Sequence, residues 1–247
     1  MSVIVITGGS RGIGASTAEL CARRGMGVIL TYKSNADAAA SVVQRIQAAG
    51  GKAVALELEV GDVSRFERFR DTVQLTLQDT WGVETLDGLV NNAGHGVFNP
   101  LESVTEAQFD GLLNVHLKGP FFLTQALLPL MGEGASIVNL TSATTRVATA
   151  GVAPYAAFKG GLDVLTRYMA KEFGPRRIRA NAVSPGAIRT DLGGGLNDEF
   201  EAMLASQTAL GRVGEPQDVA DVIAMLLSEE GRWINAQTIE VAGGYCI

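Results

Sequence analysis

The chain has 247 residues, 47% hydrophobic and 19% charged, and 26 acidic against 20 basic side chains leave a net charge of −6. That length suits one α/β domain, and the composition excludes a disordered polymer. The acidic balance excludes a general nucleic-acid binder, because the densest basic run, Arg176-Arg177-Ile178-Arg179, is too short for a phosphate-binding patch.

Short apolar runs predict strands at Val3–Thr7, Gly27–Thr31, Lys52–Glu59, Leu86–Asn91, Ser136–Leu140, Ile178–Ser184 and Thr238–Val241. Amphipathic stretches between them predict helices at Gly14–Arg24, Ala36–Ala49, Ser64–Trp81, Thr105–Met131, Pro154–Phe173 and Pro216–Ser228. Thr105-Glu106-Ala107-Gln108 has capping-box spacing, Pro216 suits a first helical turn, and Gly25, Gly50 and Gly174 sit where helices end. Strand and helix in alternation predict a single-domain, doubly wound (Rossmann-type) α/β fold of about seven parallel strands. The least regular stretch, Pro185–Leu196 with Gly193-Gly194-Gly195, reads as the start of a mobile loop at about 187–207.

No run of about 18 apolar residues is present, so no membrane span is expected. The chain enters its first strand without a basic leader, which makes the cytoplasm the default compartment. Cys21 and Cys246 are too few and too far apart for a disulfide framework, and no His, Cys, Asp or Glu cluster has metal-ligand spacing.

The first strand runs into Thr7-Gly8-Gly9-Ser10-Arg11-Gly12-Ile13-Gly14. Glycines at 8, 12 and 14 permit a tight turn and a close backbone approach to a pyrophosphate, and the following helix offers its free N–H groups to the phosphates. The spacing is GxxxGxG, and Asn91-Asn92-Ala93-Gly94 follows the fourth strand. With these motifs the chain resembles the short-chain dehydrogenase/reductase family, over nearly its whole length. The resemblance implies a nicotinamide cofactor bound through Gly8, Ser10, Gly12, Ile13, Gly14, Asn92, Ala93 and Gly94.

After the second strand, where a NAD site usually places an acid for the ribose 2′-hydroxyl, the chain reads Thr31-Tyr32-Lys33-Ser34. Without that acid, Lys33 and Ser34, with Arg11 from the glycine turn, are placed for a 2′-phosphate, and NADP(H) is the expected cofactor. Glu59-Val60 stands where the family usually has Asp-Val beside the adenine.

Tyr155 and Lys159 fall on one face of a predicted helix. A phenol titrates near pH 10, and a neighbouring ammonium favours the phenolate. The family's Tyr-x-x-x-Lys motif makes Tyr155 the general acid in reduction and the general base in oxidation. It gives Lys159 the tasks of lowering the tyrosine pKa and holding the nicotinamide ribose. By the same resemblance Ser142 is the catalytic serine that binds the substrate oxygen, and Asn114 links Lys159 to solvent through water. Pro185-Gly186-Ala187-Ile188-Arg189-Thr190 resembles the stretch that packs against the nicotinamide, with Ile188 and Thr190 on its carboxamide side.

The expected function is reduction of a ketone to a secondary alcohol, or the reverse, on a small molecule. Substrate walls are expected from His95–Val97, Ala143–Val147, Gly151–Pro154 and the loop at 187–207. Arg146, the one cation nearby, reads as facing water. The chain is similar to 3-oxoacyl-acyl carrier protein reductases, and Arg176 sits where carrier-using relatives tend to have a basic residue, but Leu130-Met131-Gly132-Glu133 adds no second cation. A protein that senses NADP without chemistry and an epimerase or dehydratase are the other readings. The family implies a homotetramer or homodimer, to which Pro120–Leu130 and Ile239–Ile247 would contribute.

Overall fold

A computed structural model describes residues 2–247. Among them seven parallel strands form one sheet: β1 (Val3–Ile6), β2 (Gly27–Tyr32), β3 (Ala53–Glu57), β4 (Leu86–Asn91), β5 (Met131–Leu140), β6 (Arg179–Pro185) and β7 (Thr238–Val241). The order across the sheet is β3-β2-β1-β4-β5-β6-β7. Parallel neighbours need a crossover. The helices are α1 (Gly12–Arg23), α2 (Ala36–Ala48), α3 (Phe66–Trp81), α4 (Glu106–Leu113), α5 (Gly119–Leu127), α6 (Ala153–Phe173), α7 (Asp198–Ser206) and α8 (Pro216–Leu227).

The apolar strands are buried on both faces, and alternation divides them between two cores. Ile4 and Ile6 of β1 pack with Ala18, Val42 and Ile223 on one face. Val3 and Val5 pack with Phe69, Val73 and Leu77 on the other. The chain builds outward from β1 to β3, then returns to lay β4 against the free side of β1. The loops leaving the carboxyl ends of β1 and β4 therefore part in opposite directions and open a crevice, the usual ligand site of such sheets.

Several boundaries differ from expectation. The helix expected over Thr105–Met131 is broken. The Thr105–Gln108 capping box starts α4 as expected, but Asn114–Lys118 forms a π-turn before α5, and Leu128–Leu130 is a 3-10 turn. Pro120 is the cause: it has no N–H for the carbonyl four residues back, and its ring crowds that carbonyl. The wider turn absorbs the mismatch, with the Gly119 N–H bonded to the Asn114 carbonyl.

Strand β5 begins at Met131 rather than Ser136, with an irregularity opposite Leu86 and Gly88 where Gly134 takes a φ of 82°. Helix α6 ends at Phe173 with Gly174 at its cap, as expected, but Gly174 keeps a right-handed conformation; a 3-10 turn continues to Arg176, and Arg177 takes the left-handed conformation. Helix α7 lies inside the stretch read as loop. Asn197 caps it by accepting the Phe200 N–H at 2.8 Å, and Asp198, Glu199 and Glu201 suit the positive end of its dipole.

Candidate active site

The crevice is a cleft of about 770 Å³ along the carboxyl edge of the sheet. Its floor at one end is the glycine turn. Gly8 and Gly12 take φ values of 65° and 54°, in the left-handed region. A Cβ on Gly8 would lie 2.9 Å from the Ala93 Cα, and one on Gly14 only 2.3 Å from the Gly8 carbonyl oxygen. The backbone of β1 and that of the Asn-Asn-Ala-Gly turn thus meet with no room for a side chain.

The Asn-Asn-Ala-Gly turn holds this floor together. Thr7 Oγ1 accepts the N–H groups of Asn92 and Ala93 at 2.9 and 3.0 Å, and donates to the Val90 carbonyl at 3.2 Å. The Asn92 amide donates to the carbonyls of Thr7 and Gly8 at 2.8 and 3.1 Å. One residue earlier, buried Asn91 bonds Asn139 at 2.8 Å, and Asn139 bonds Thr166 of α6 at 2.9 Å. This chain of amides ties the helix carrying Tyr155 and Lys159 to the strand behind the glycine turn. Helix α1 starts without a side-chain cap and without an acid in its first turn. Its leading N–H groups are available to an anion.

Every residue expected to hold the cofactor lines this cleft, from Gly8 to Thr190. Two of the cations are paired with carboxylates. Lys33 bonds Glu59, whose second oxygen accepts the Gly61 N–H at 3.1 Å. Arg11 stands 3.8 Å from Asp191 across the cleft mouth. Lys33 and Arg11 remain largely exposed, so both pairs are weak and can exchange partners.

Ser142, Tyr155 and Lys159 come together on the opposite wall. Ser142 ends the backbone leaving β5, and its Oγ accepts the N–H and the hydroxyl of Thr144 at 3.2 and 2.9 Å. Both lone pairs are then used, and its own proton is left to donate. Burial raises the Tyr155 pKa, and a bond from Ser142 to the phenol opposes that rise. Lys159 is 4% exposed, and its ammonium donates to the Leu140 carbonyl at 2.6 Å. Burial, with no carboxylate to compensate, brings its pKa down to about 7. Its Nζ lies 5.6 Å from the centre of the Tyr155 ring. Val115 and His116 of the π-turn line the cleft, and Asn114 stands at the start of that turn.

Both histidines belong to this wall. His116 is buried, its ring 4.9 Å from that of Tyr155 in an edge-to-face arrangement. Its Nε2 bonds the His95 carbonyl at 2.8 Å. Burial, then the Lys159 charge, keeps its pKa well below the usual histidine value. Gly94 makes room for it, since a Cβ there would lie 2.9 Å from the imidazole Cε1.

At the substrate end each of the four predicted walls contributes to the lining. Of the predicted walls, all of His95–Val97 lines the cleft, with Ala143, Thr144 and Val152, and the 187–207 stretch contributes Leu196 and, from α7, Phe200 and Leu204. Phe98 and Tyr245 also line it and carried no sequence signal. Arg146 is exposed, as expected, but its guanidinium is not free. Its guanidinium bonds Glu240 at 2.5 and 3.0 Å and the carbonyls of Tyr245 and Cys246 at 2.7 and 2.9 Å. Arg176 holds the carbonyls of Leu128 and Met131.

A doubly wound parallel sheet with an uncapped glycine turn at its switch point defines a dinucleotide-binding oxidoreductase class. Residues 8–246 match the profile of the family described as enoyl-(acyl carrier protein) reductase. An uncharacterized oxidoreductase of Methylorubrum extorquens is 40% identical over 245 residues, covering 98% of this chain and 96% of that protein. The 3-oxoacyl-[acyl-carrier-protein] reductase FabG of Staphylococcus aureus is 35% identical over 243 residues, covering 97% and 96%. The solved structure of the angucycline C-6 ketoreductase LanV with bound NADP superposes with a TM-score of 0.95 at 35% identity, covering 99% of this chain and 95% of that one. The chain belongs to the short-chain dehydrogenase/reductase family.

Proposed function

We propose that this protein is an NADP(H)-dependent reductase of uncharged, largely apolar ketones, able to run in reverse on the secondary alcohols. The observation that carries the reading is the convergence of Ser142, Tyr155 and Lys159 on one wall of a cleft whose other end is the glycine turn. The close-packed glycines and the uncapped start of α1 fit a dinucleotide pyrophosphate. Lys33, Ser34 and Arg11 are assigned to the 2′-phosphate, and Glu59 and Val60 to the adenine side. Pro185, Gly186, Ile188 and Thr190 would hold the nicotinamide. When bound, that group supplies or accepts the hydride.

The chain's own residues supply orientation and the proton. Ser142 donates a hydrogen bond to the substrate oxygen, and Tyr155 delivers its phenolic proton to the same oxygen. The Lys159 charge stabilises the phenolate left behind, and Asn114 is assigned the path from Lys159 to solvent. The stretch at 187–207 is assigned the closing movement over substrate, with α7 as its rigid part. Phe98, Leu196, Phe200 and Tyr245 give the substrate end an apolar lining. The nearby guanidiniums of Arg146 and Arg189 are already engaged by Glu240 and by Glu201 and Glu215, so a free anionic substrate group finds no ready partner there.

A homotetramer is the assembly we favour, supported by exposed Phe121 on α5 and by Val164 and Tyr168 on α6. Both cysteines are unpaired, which suits a reducing compartment such as the cytoplasm. No helix among the described residues is long and apolar enough to cross a membrane.

A carrier-bound β-ketoacyl substrate is the second reading, supported by the likeness to the S. aureus reductase. The engagement of Arg176 with backbone carbonyls counts against it. The test is fluorescence titration with NADPH and NADH, followed by a panel of free aromatic and aliphatic ketones and an acyl-carrier β-ketoester. NADPH-dependent turnover of free ketones that falls by about 10²–10⁴-fold in Tyr155→Phe, with the NADPH Kd kept, is the expected result. Turnover of the carrier substrate alone would favour the second reading. NADPH binding without turnover would leave a sensor.

A further inference from the structure

Residues 242–247 leave β7 and turn back across the cleft mouth. Gly243 and Gly244 both take left-handed φ values, 60° and 76°, which reverses the chain. The reversed segment is fastened on two sides. On one side it pairs with the residues that follow α7. The N–H groups of Ala209 and Leu210 donate to the carbonyls of Gly244 and Gly243 at 3.2 and 3.1 Å, and the Cys246 N–H donates to the Gln207 carbonyl at 2.9 Å. Thr208 and Tyr245 face each other across an antiparallel bridge. The fit is close, since a Cβ on Gly244 would lie 2.8 Å from that of Ala209.

On the other side the fastener is Arg146, four residues beyond Ser142. Its backbone N–H closes the turn after Ser142 on the Ala143 carbonyl at 2.9 Å, so the arginine is rigidly joined to the catalytic loop. Its guanidinium grips the Glu240 carboxylate with two bonds and the carbonyls of Tyr245 and Cys246 with two more. A planar fork is suited to such multiple, oriented bonds. Between the two fastenings the Tyr245 side chain lines the cleft, with Phe200 and Leu204 of α7 also on its walls.

We propose that residues 242–247 are a clamp joining the end of α7 to the Ser142 loop through Arg146, and that Tyr245, held by the clamp, sets the size of ketone admitted. The proposal rests on the reductase reading for its substrate, but the clamp itself does not. Helix α7 is held at its start by Arg189, which bonds Glu201 and Glu215. With the clamp at its end, the α7 side of the cleft is anchored at both ends, and Tyr245 forms a fixed wall.

Two measurements test this. Residue-resolved amide hydrogen exchange is compared between the full-length protein and Arg146→Met. Loss of Arg146 should speed exchange of the Ala209, Leu210 and Cys246 amides together, by about tenfold or more, while α6 keeps its protection. Faster exchange confined to 245–247 would overturn the clamp. Should Arg146→Met fail to fold, Glu240→Gln, which removes only the charge under the guanidinium, is read in the same way. In the second measurement, kcat/KM is compared across ketones of increasing bulk for Tyr245→Ala and Tyr245→Phe. Tyr245→Ala should raise the ratio of bulky to small ketones by about tenfold, the scale of small steric steps in an apolar pocket, and Tyr245→Phe should hold it. An equal change for every ketone would refute the specificity role. If the wild-type protein reduces no ketone, the reductase reading fails, and hydrogen exchange still decides the clamp.

Discussion

Replacing Lys159 with methionine should make the protein more stable near neutral pH while removing its activity. The side chain is 4% exposed and holds one hydrogen bond, to the Leu140 carbonyl, so its charge is poorly solvated. Burial brings its pKa from 10.5 down to about 7. The unfolded chain keeps the ordinary value, so between pH 7 and 10.5 unfolding takes up a proton and stability rises with pH. Each pH unit contributes about 1.4 kcal/mol, which limits the whole effect to roughly 5 kcal/mol. Below pH 7 both states are protonated and the full penalty stands. Methionine has a similar reach and no charge to bury, and losing the bond to Leu140 offsets about 1 kcal/mol. Its advantage is therefore greatest below pH 7, shrinks by about 2 kcal/mol between pH 7 and pH 9, and is gone near pH 10, where the remaining penalty only matches the lost hydrogen bond. Urea unfolding of both proteins at pH 7 and pH 9, without cofactor, measures this directly. A stability difference that is the same at both values would refute the argument, because it would mean that Lys159 titrates as an ordinary lysine in the folded protein.

Glu59→Gln removes the carboxylate that engages Lys33, and should tighten NADPH about two- to fivefold, the scale of one exposed ion pair, with little effect on NADH. Fluorescence titration checks it, and equal tightening of both cofactors would show that the effect lies at the adenine. Gly14→Ala would put a methyl 2.3 Å from the Gly8 carbonyl oxygen and 2.5 Å from the Asn92 amide nitrogen. It should lower stability by about 1–3 kcal/mol and abolish NADPH binding, whereas Gly160→Ala, which meets nothing within 4 Å, should do neither. Thermal melts with and without NADPH separate the two.

Much of this molecule is legible along the chain, because local chemistry dictates it. Apolar runs such as Val3–Ile6 can be satisfied only between two layers of helix, and alternation of strand with helix then fixes a parallel sheet. Glycines 8, 12 and 14 announce their turn because no other residue fits there, and the four-residue spacing of Tyr155 and Lys159 puts both on one helical face. Where structure and periodicity differ, a second local signal outweighed the first. Pro120 broke a helix that periodicity made continuous, and the wider π-turn carries His116 to the ring of Tyr155. Helix α7 had a local signal in Asn197-Asp198-Glu199, outweighed by the glycines before it.

The rest was decided by the tertiary structure alone. The pairing of Lys33 with Glu59, the ties from Asn92 to Thr7 and Gly8, and the grip of Arg146 on Glu240 all join residues far apart in the chain. Whether a charged group faces water, substrate or its own carboxylate depends on which loops the sheet order brings together. The depressed pKa of Lys159 has the same origin. The sequence supplies the amine, and the desolvation that brings it to about 7 exists only once β5, the π-turn and α6 have closed around it.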